Sequence, residues 1–540
     1  MTYAEKSKIV ISKKERRGQQ NMVKTFQYDE VPVLETTSGK LKGYFYDGEY
    51  IFKGIPYAQA ERFQMPTETK WEGVKDATSY GFVCPLLVQD TPRGELLVPH
   101  RYWPQDEHCQ NLNIWTTTLD EKAQKPVVVW LHGGGYFAGS SIEQAAYDGF
   151  NMCMLGDVVV VSINHRLNIL GYLDLSPFGE KYANSGNAGH ADMVAALRWI
   201  QKNIALFGGN PDNVTIFGQS GGGMKVVDLM QIAEADGLFH KGLIMSGVGS
   251  ERLQPSCTGD GREIVSALLR ELNIEEDEVE KLETVPYYEL ARAYGKVSPA
   301  IAAKGGYVGN APLVNDYYKG YPLGYGLREC AGKIPVMIGT VFGEFSFAPA
   351  MFNKLELGEQ EMEEIIGKVY GERTKEMMQA FAQAYPGKNP TDLLYVDRAM
   401  RQPSKQLAKL FAELGNEKVY LYDFTLEFPF MHNKIAWHCA DIPFFFHNTD
   451  KVEICGMPGV SDKLEEQIFG AFMAFVRSGD PNCGKLPAWP AVTESEEPTM
   501  IFDKECEVRM NFDDALYELI DSILPPFNMA EQTKDQDIQH

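Results

Sequence analysis

The feature that most constrains the fold is a serine set among glycines in the segment Asp212–Leu229, DNVTIFGQSGGGMKVVDL. An apolar, β-branched run predicts a strand before the serine, and apolar residues at helical spacing predict a helix after it. Gly218–Gly222 match G-x-S-x-G, the pattern of a serine exposed on a sharp strand-to-helix turn. Glycines suit that turn because strand and helix approach closely. An ordinary glycine turn is the alternative interpretation.

A second glycine-rich segment, His132–Gly139 (HGGGYFAG), ends the apolar run Lys125–Gly135 that predicts a buried strand. Loops of this kind supply backbone N–H groups to a negatively charged oxygen that develops during acyl transfer. A phosphate-binding loop is the alternative, but the segment lacks both the G-K-[ST] ending and the last glycine of G-x-G-x-x-G. The two glycine segments together favour a nucleophilic serine.

A nucleophilic serine needs a base and an orienting acid, in the chain order Ser, acid, His for this turn. The histidines that follow the serine are His240, His432, His438, His447 and His540. His438 lies in a polar turn between apolar segments, and Glu344 follows a predicted buried strand, so these two are the candidates. His240 is interpreted as structural, while His432 and His447 remain weaker alternatives. The spacing of these two histidines from His438, six and nine residues, matches no standard zinc pattern.

Short apolar runs alternate with amphipathic segments along the chain, a pattern typical of an α/β protein with a mostly parallel twisted sheet flanked by helices. No linker divides it, so residues 23–525 are predicted to form a single domain. Helical insertions at about 255–330 and 350–415 are expected to form a lid over the site. Residues 1–22 are predicted to be a disordered arm, with translation starting at Met1 or Met22, and 526–540 a flexible tail.

Composition excludes several classes of function. The net charge of −23 leaves no basic stripe for nucleic acid. The charged start lacks the apolar region of a secretory signal, and the longest apolar runs are too short to span a bilayer. The nine cysteines include no CxxC pair, which argues against a zinc ribbon or a disulfide framework. We therefore expect a cytoplasmic protein without a metal or organic cofactor.

Further segments carry a family resemblance: IFKGIPYA, ERFQMP, DEHCQNLNIW, NHRLNILGYL and SGDPN. From about Glu35 to Phe512 the chain resembles the type-B carboxylesterases, and among them the bacterial para-nitrobenzyl-esterase-like members. These are α/β-hydrolases, and the family also contains cholinesterases and non-catalytic, neuroligin-like adhesion proteins. The resemblance implies an α/β-hydrolase fold with an active-site serine.

The resemblance also implies roles for individual residues: Ser220 as nucleophile, Glu344 as acid, His438 as base, Gly134, Gly135 and Gly221 as oxyanion donors, and Gln219 and Ser246 as supporting residues. Arg62 and Glu107 match a structural ion pair of the family. Cys84 and Cys109 match two cysteines that secreted members join, and we expect them to be mostly reduced in a chain without a signal peptide.

The departures from the family concern the substrate more than the reaction. Gln219 stands where the family usually has Glu, and Trp103 is displaced from the position of the choline-binding Trp, so a cholinesterase is not expected. Phe345 follows Glu344 where a small residue is usual, which makes the acid the least secure of the three. Cys439 replaces a Gly beside the histidine, either as a reactive thiol or, more commonly, as an inert one.

The expected function is hydrolysis of small to medium apolar or aryl esters through an acyl-enzyme. The candidate pocket walls are Phe345, Phe347, Phe430 and Met431, for which plain core packing is an equally good interpretation. An amide, carbamate or lactone substrate is the alternative for the same residues, because all share the tetrahedral chemistry. A non-catalytic scaffold is disfavoured because serine, acid and histidine are all present. The sequence leaves monomer and dimer open.

Overall fold

The computed structural model describes residues 26–27, 31–87, 96–249, 259–347 and 352–527 of the 540-residue chain. The N-terminal arm expected at 1–22 lies outside the described residues, as does the tail from 528 onward. Residues 255–258 and 350–351 of the two expected insertions also lie outside them.

The strands of the described residues are β1 Phe26–Gln27, β2 Val33–Thr36, β3 Gly39–Lys42, β4 Tyr44–Tyr46, β5 Glu49–Pro56, β6 Val74–Asp76, β7 Asn111–Thr116, β8 Lys125–Leu131, β9 Val159–Ile163, β10 Gly209–Gln219, β11 Lys241–Met245, β12 Val336–Val341, β13 Val419–Phe424, β14 Pro498–Phe502 and β15 Glu507–Met510. The α-helices are α1 Phe150–Gly156, α2 Asn168–Tyr172, α3 Ala188–Asn203, α4 Gly221–Leu229, α5 Arg262–Leu272, α6 Tyr287–Ala302, α7 Pro322–Tyr325, α8 Glu359–Tyr370, α9 Thr374–Ala384, α10 Arg401–Glu413, α11 Ile442–Phe446, α12 Ser461–Ser478 and α13 Asp514–Ile523.

In the described part of the chain, twelve strands form one large sheet in the order β1-β4-β5-β7-β9-β8-β10-β11-β12-β13-β14-β15. Neighbours from β9 through β14 are parallel, and both edges of the sheet are antiparallel. A small second sheet has the order β2-β3-β6. The parallel centre aligns the carboxyl ends of β8, β10, β11, β12 and β13 at one edge, where ligands bind in open α/β sheets.

The central strands are buried on both faces because helices cover the sheet on both sides. All five residues of β9 and of β11 are buried, as are all six of β12 and of β13. Two large apolar clusters lie on opposite faces of the sheet: Val128 and Trp130 of β8 belong to one, Val127 and Val129 to the other. This alternation follows from the two-residue period of a strand.

Helical segments interrupt the sheet at the two predicted places. Helices α5 to α7 lie between β11 and β12, and α8 to α10 lie between β12 and β13. The predicted ion pair joins the first insertion to the N-terminal part: Arg62 Nε donates to Glu107 Oε2 at 2.7 Å, and Arg62 also donates to the carbonyls of Leu282 and Val285. Within the described residues, no helix combines the length and apolarity that a bilayer crossing requires.

Candidate active site

The serine turn has the strained geometry that the sequence predicts. Strand β10 ends at Gln219, helix α4 begins at Gly221, and Ser220 between them has φ 57° and ψ −127°. Such a positive φ disfavours a residue with a side chain, so the surrounding structure must hold it in place. The Ser220 N–H donates to the Met245 carbonyl at the end of β11 at 2.9 Å. The serine side chain therefore stands at the edge of the sheet, half-buried.

The glycines around the serine are required by contact between backbones. A Cβ on Gly222 would lie 2.0 Å from the Leu131 carbonyl oxygen, and one on Gly218 would lie 2.4 Å from the Gly222 carbonyl carbon. A Cβ on Gly221 would lie 2.3 Å from the Gly135 nitrogen. Since these neighbours are backbone atoms, they cannot move aside as a flexible side chain would. Strand, turn and helix can reach this separation only with glycine at these positions.

The loop after β8 packs directly against this turn. Gly134 and Gly135 have φ values of +85° and +61°, and Ala138 N–H closes the loop on the Gly134 carbonyl at 3.0 Å. The backbones of Gly135 and Gly221 are in contact, and Gly221 opens helix α4, whose N-terminus carries a partial positive charge. The predicted oxyanion donors thus lie side by side.

Lys225, which the sequence pattern did not single out, holds the start of that loop. Its side chain is fully buried on α4, and its Nζ donates to the His132 carbonyl at 3.0 Å. Burial lowers the pKa of Lys225 to about 7. Burial also lowers the pKa of His132 and of His165, whose rings stack 5.0 Å apart behind the loop. These two histidines are therefore neutral.

The structure brings Glu344 and His438 together in the segments that follow the neighbouring strands β12 and β13. His438 Nδ1 lies 2.5 Å from Glu344 Oε2, and the His438 N–H donates to the Glu344 carbonyl at 2.7 Å. The other carboxylate oxygen, Oε1, accepts the Val341 N–H at 3.0 Å. Both side chains are buried. Because Nδ1 is bound to the carboxylate, Nε2 is the ring nitrogen left for a proton from another group.

Gln219 links the serine turn to the histidine loop. Its Nε2 lies 3.2 Å from each ring nitrogen of His438, and its Oε1 accepts a hydrogen bond from Cys439 Sγ at 3.1 Å. Cys439 has φ +79°, a conformation that favours glycine. Burial raises the pKa of the Cys439 thiol well above its usual range, so the sulfur is a neutral donor. The two departures from the family pattern are thus in contact with each other.

Ser246 follows Met245, whose carbonyl accepts the Ser220 N–H of the serine turn. Its N–H donates to the Gly339 carbonyl of β12 at 2.7 Å, and its φ is 44°. The hydroxyl is buried and has no hydrogen-bond partner among the described residues. Ser246 therefore supports the site through its backbone, which ties the end of β11 to the next strand.

Two of the four predicted pocket residues flank the histidine. The ring of Phe345 lies 5.1 Å from that of His438, and the ring of Phe347 lies 6.4 Å from it on edge. Phe430 packs on Trp437 at 5.9 Å at the margin of the core. Met431 lines a separate small cavity.

The residues of this site lie in a part of the chain that matches a known protein family. The carboxylesterase family model matches residues 30–519. The chain belongs to this family. A para-nitrobenzyl esterase of Bacillus subtilis is 31% identical over 502 residues, which cover 88% of this chain and 96% of that protein. A phenmedipham hydrolase of Pseudarthrobacter oxydans is 31% identical over 497 residues, covering 88% of this chain and 95% of that protein.

Solved structures agree with the sequence relatives. An esterase from anaerobic Clostridium hathewayi, described as able to hydrolyse aliphatic aromatic polyesters, superimposes with a TM-score of 0.91 at 58% identity. The match covers 93% of this chain and 100% of that one. The resemblance and the α/β-hydrolase fold predicted from the sequence are confirmed. This carboxylesterase is an enzyme of the carboxylic-ester hydrolase class, which acts on small-molecule esters.

The other histidines considered for the base lie elsewhere in the carboxylesterase. His240 Nδ1 accepts the Val214 N–H at 3.1 Å at the opposite end of the sheet. His432 is exposed, and His447 Nδ1 lies 3.3 Å from Glu465 Oε2 in a second buried pair. Of the histidines after the serine in the described residues, His438 is the one in contact with both Glu344 and Gln219.

Two further buried carboxyl groups, of Asp441 and Asp397, lie near Glu344 in the carboxylesterase. Burial, together with the nearby charge of Glu344, raises the pKa of Asp441 to about 7. Tyr422 donates to its Oδ2 at 2.8 Å. Burial, followed by the charge of Glu344, raises the pKa of Asp397 well above its usual range. These neighbours favour protonation of the outer carboxyl groups while Glu344 binds the histidine.

One cluster in the described residues has the spacing of a metal site. Glu497, Asp513 and Asp514 place carboxylate oxygens within 4.8 Å of one another. The Lys405 ammonium already contacts all three, at 3.1 Å from Glu497 and 2.7 Å from Asp513. The lysine therefore supplies the positive charge that these carboxylates need.

Proposed function

We propose that Ser220, His438 and Glu344 form the catalytic triad of this esterase, with Gly134, Gly135 and Gly221 as the oxyanion hole. The observation that carries the proposal is the 2.5 Å contact between Glu344 and His438 Nδ1, which Gln219 links to the strained serine turn. A buried carboxylate on Nδ1 fixes the tautomer in which Nε2 can accept a proton.

In this proposal His438 Nε2 takes the proton of Ser220 as Oγ attacks the ester carbonyl carbon. The tetrahedral oxyanion accepts hydrogen bonds from the glycine N–H groups, and the helix α4 N-terminus stabilises its charge. His438 returns the proton to the leaving alcohol, and water then hydrolyses the acyl-enzyme by the same route. Glu344 stabilises the imidazolium in both halves of the reaction.

The substrates we propose are apolar and aryl esters, extending to aliphatic–aromatic polyester chains. Two observations support this preference. The rings of Phe345 and Phe347 flank the base, and the 58% identical esterase from Clostridium hathewayi is described as hydrolysing such polyesters. The single-domain organisation and the cytoplasmic location stay predictions.

Labelling with a fluorophosphonate, followed by peptide mapping by mass spectrometry, tests the nucleophile. We expect one adduct on Ser220, complete loss of labelling in Ser220→Ala, and unchanged labelling in the control Ser266→Ala on α5. Hydrolysis of p-nitrophenyl butyrate is expected to fall by about 10⁴-fold or more in Ser220→Ala. Labelling of another residue, or activity that survives Ser220→Ala, would contradict the proposed triad.

A further inference from the structure

A cleft of about 770 Å³ is lined in part by the loop that follows β8. One wall is the loop itself, from Phe137 to Ser140; a second carries Tyr102 and Trp103; helix α6 provides a third through Tyr294 and Pro299. The volume is in the range of small-molecule sites, and the walls are largely aromatic and aliphatic. None of the pocket residues predicted from the sequence lines it.

Phe137 connects the wall of the cleft to the proposed catalytic centre through residue contacts. The Phe137 ring folds back onto Gly135, where a Cβ would lie 2.6 Å from its Cε1 atom. The Gly135 backbone in turn contacts Gly221, the residue after the nucleophile. A group bound against Phe137 is therefore only two contacts away from the residue that follows Ser220.

Three large aromatic side chains are left in solvent at this cleft. Phe137 is 55% exposed, Tyr102 54% and Trp103 38%. Single exposed apolar residues are ordinary, but several exposed aromatic residues that line one concave cleft indicate a binding surface. The Trp103 ring packs edge-on against Tyr80 with centroids 5.5 Å apart, which favours one orientation of the indole.

We propose that this cleft binds an aromatic ring of an extended ester substrate, one unit along the chain from the ester that Ser220 attacks. The inference rests on the proposed function, and it adds the place where a polyester segment is held. The occupant we infer is an aryl ester chain, because the loop that carries the proposed oxyanion donors Gly134 and Gly135 also lines the cleft at Phe137–Ser140. Stacking on Phe137 and Trp103 would then favour chains with aromatic units over purely aliphatic ones.

The test compares kcat/KM for p-nitrophenyl acetate with kcat/KM for a benzoyl-capped butylene terephthalate dimer, which is long enough to reach the cleft. We expect Trp103→Ala to lower the ratio of the dimer value to the acetate value by about 10-fold, mainly through KM. Trp103→Phe keeps a flat ring and should restore most of that ratio. Tyr288→Ala, which removes a 69% exposed aromatic of α6 outside the cleft, should leave the ratio unchanged.

The outcomes separate this inference from the proposed function. An unchanged ratio in Trp103→Ala, or an equal fall for both substrates, would overturn the aromatic subsite while leaving the triad intact. Loss of acetate hydrolysis only in Ser220→Ala supports the triad independently of the cleft. Since Trp103 is partly exposed, the alanine variant is expected to unfold at the wild-type temperature, which a thermal melt checks.

Discussion

The serine turn and the histidine loop meet in one site, but different forces hold them. At the turn, the backbones of neighbouring segments are in direct contact, so that a Cβ on Gly222 would lie 2.0 Å from the Leu131 carbonyl oxygen. At the loop, side chains hold the geometry, through the Glu344 carboxylate on His438 and the Cys439 thiol on Gln219. The turn therefore tolerates no added atom, whereas the loop permits substitutions that preserve shape and change charge.

This difference predicts that variants of the turn fail through geometry, and variants of the loop through electrostatics. Cys439 shows that the loop accommodates a side chain where the turn does not, because it has a φ of +79°, a conformation that favours glycine. The predictions below test the contrast.

The largest effect is expected for Glu344→Gln. The amide keeps the size of the carboxylate but removes the charge that stabilises the imidazolium and selects the tautomer. We expect kcat to fall by about 10⁴-fold with a near-normal KM and melting temperature. Steady-state kinetics on p-nitrophenyl butyrate measure it. The matched control is Glu465→Gln in the second buried pair with His447, which should retain kcat. A variant retaining a tenth of kcat would mean that another group orients the base.

Gly222→Ala tests the turn. Its Cβ cannot fit 2.0 Å from the Leu131 oxygen, so β8 and α4 must separate by an ångström or more. Displacement on that scale is expected to cost at least about 100-fold in kcat/KM and to lower the melting temperature. Gly295→Ala is the control, because a Cβ there meets no atom within 4 Å inside helix α6, and it should stabilise slightly. Normal activity in Gly222→Ala would refute the steric account.

Gln219→Glu tests whether the loop responds to charge. A carboxylate 3.2 Å from both His438 nitrogens stabilises the protonated ring, so a higher pH is needed to obtain the neutral base. We expect the acidic limb of kcat/KM against pH to move up by about one unit. The carboxyl groups already near the loop, on Glu344 and Asp441, are common to both proteins. Gln219→Met, which adds no charge, should leave the limb in place; an equal shift in both variants would contradict the prediction.

The smallest effect on activity is expected for Asp441→Asn. Burial raises the pKa of Asp441 to about 7 in the folded state, against about 3.9 in the unfolded chain. Between those values the folded protein holds a proton that the unfolded chain has lost. The free energy of unfolding therefore falls as the pH rises through this window. Asparagine removes this contribution and still accepts from Tyr422. Urea unfolding at pH 5 and pH 8 should show a decrease about 3 kcal/mol smaller in the variant. An equal decrease in the wild-type protein and the variant would mean that a group other than Asp441 binds this proton.

The features that the sequence predicted well are local ones. The strand-to-helix turn at Ser220 depends on residues within one segment, so its spacing is visible in the chain. The strand predicted over Lys125–Gly135 is shorter in the structure and ends at Leu131, because the glycines after it turn at positive φ. The sequence pattern shows where apolar residues alternate, but it does not show at which residue a strand ends and the following loop turns away.

By itself, then, the sequence determined the strand–turn–helix, the glycine loop and the family, since each depends on residues close together in the chain or on matching segments. Only the tertiary structure brought Glu344 and His438, 94 positions apart, to a contact of 2.5 Å, and joined Gln219 to Cys439. It also assembled the aromatic cleft from the oxyanion loop, the Trp103 segment and helix α6. The physical reason is that a cleft wall is a surface shared by distant segments, and the packing of the sheet decides which segments share it.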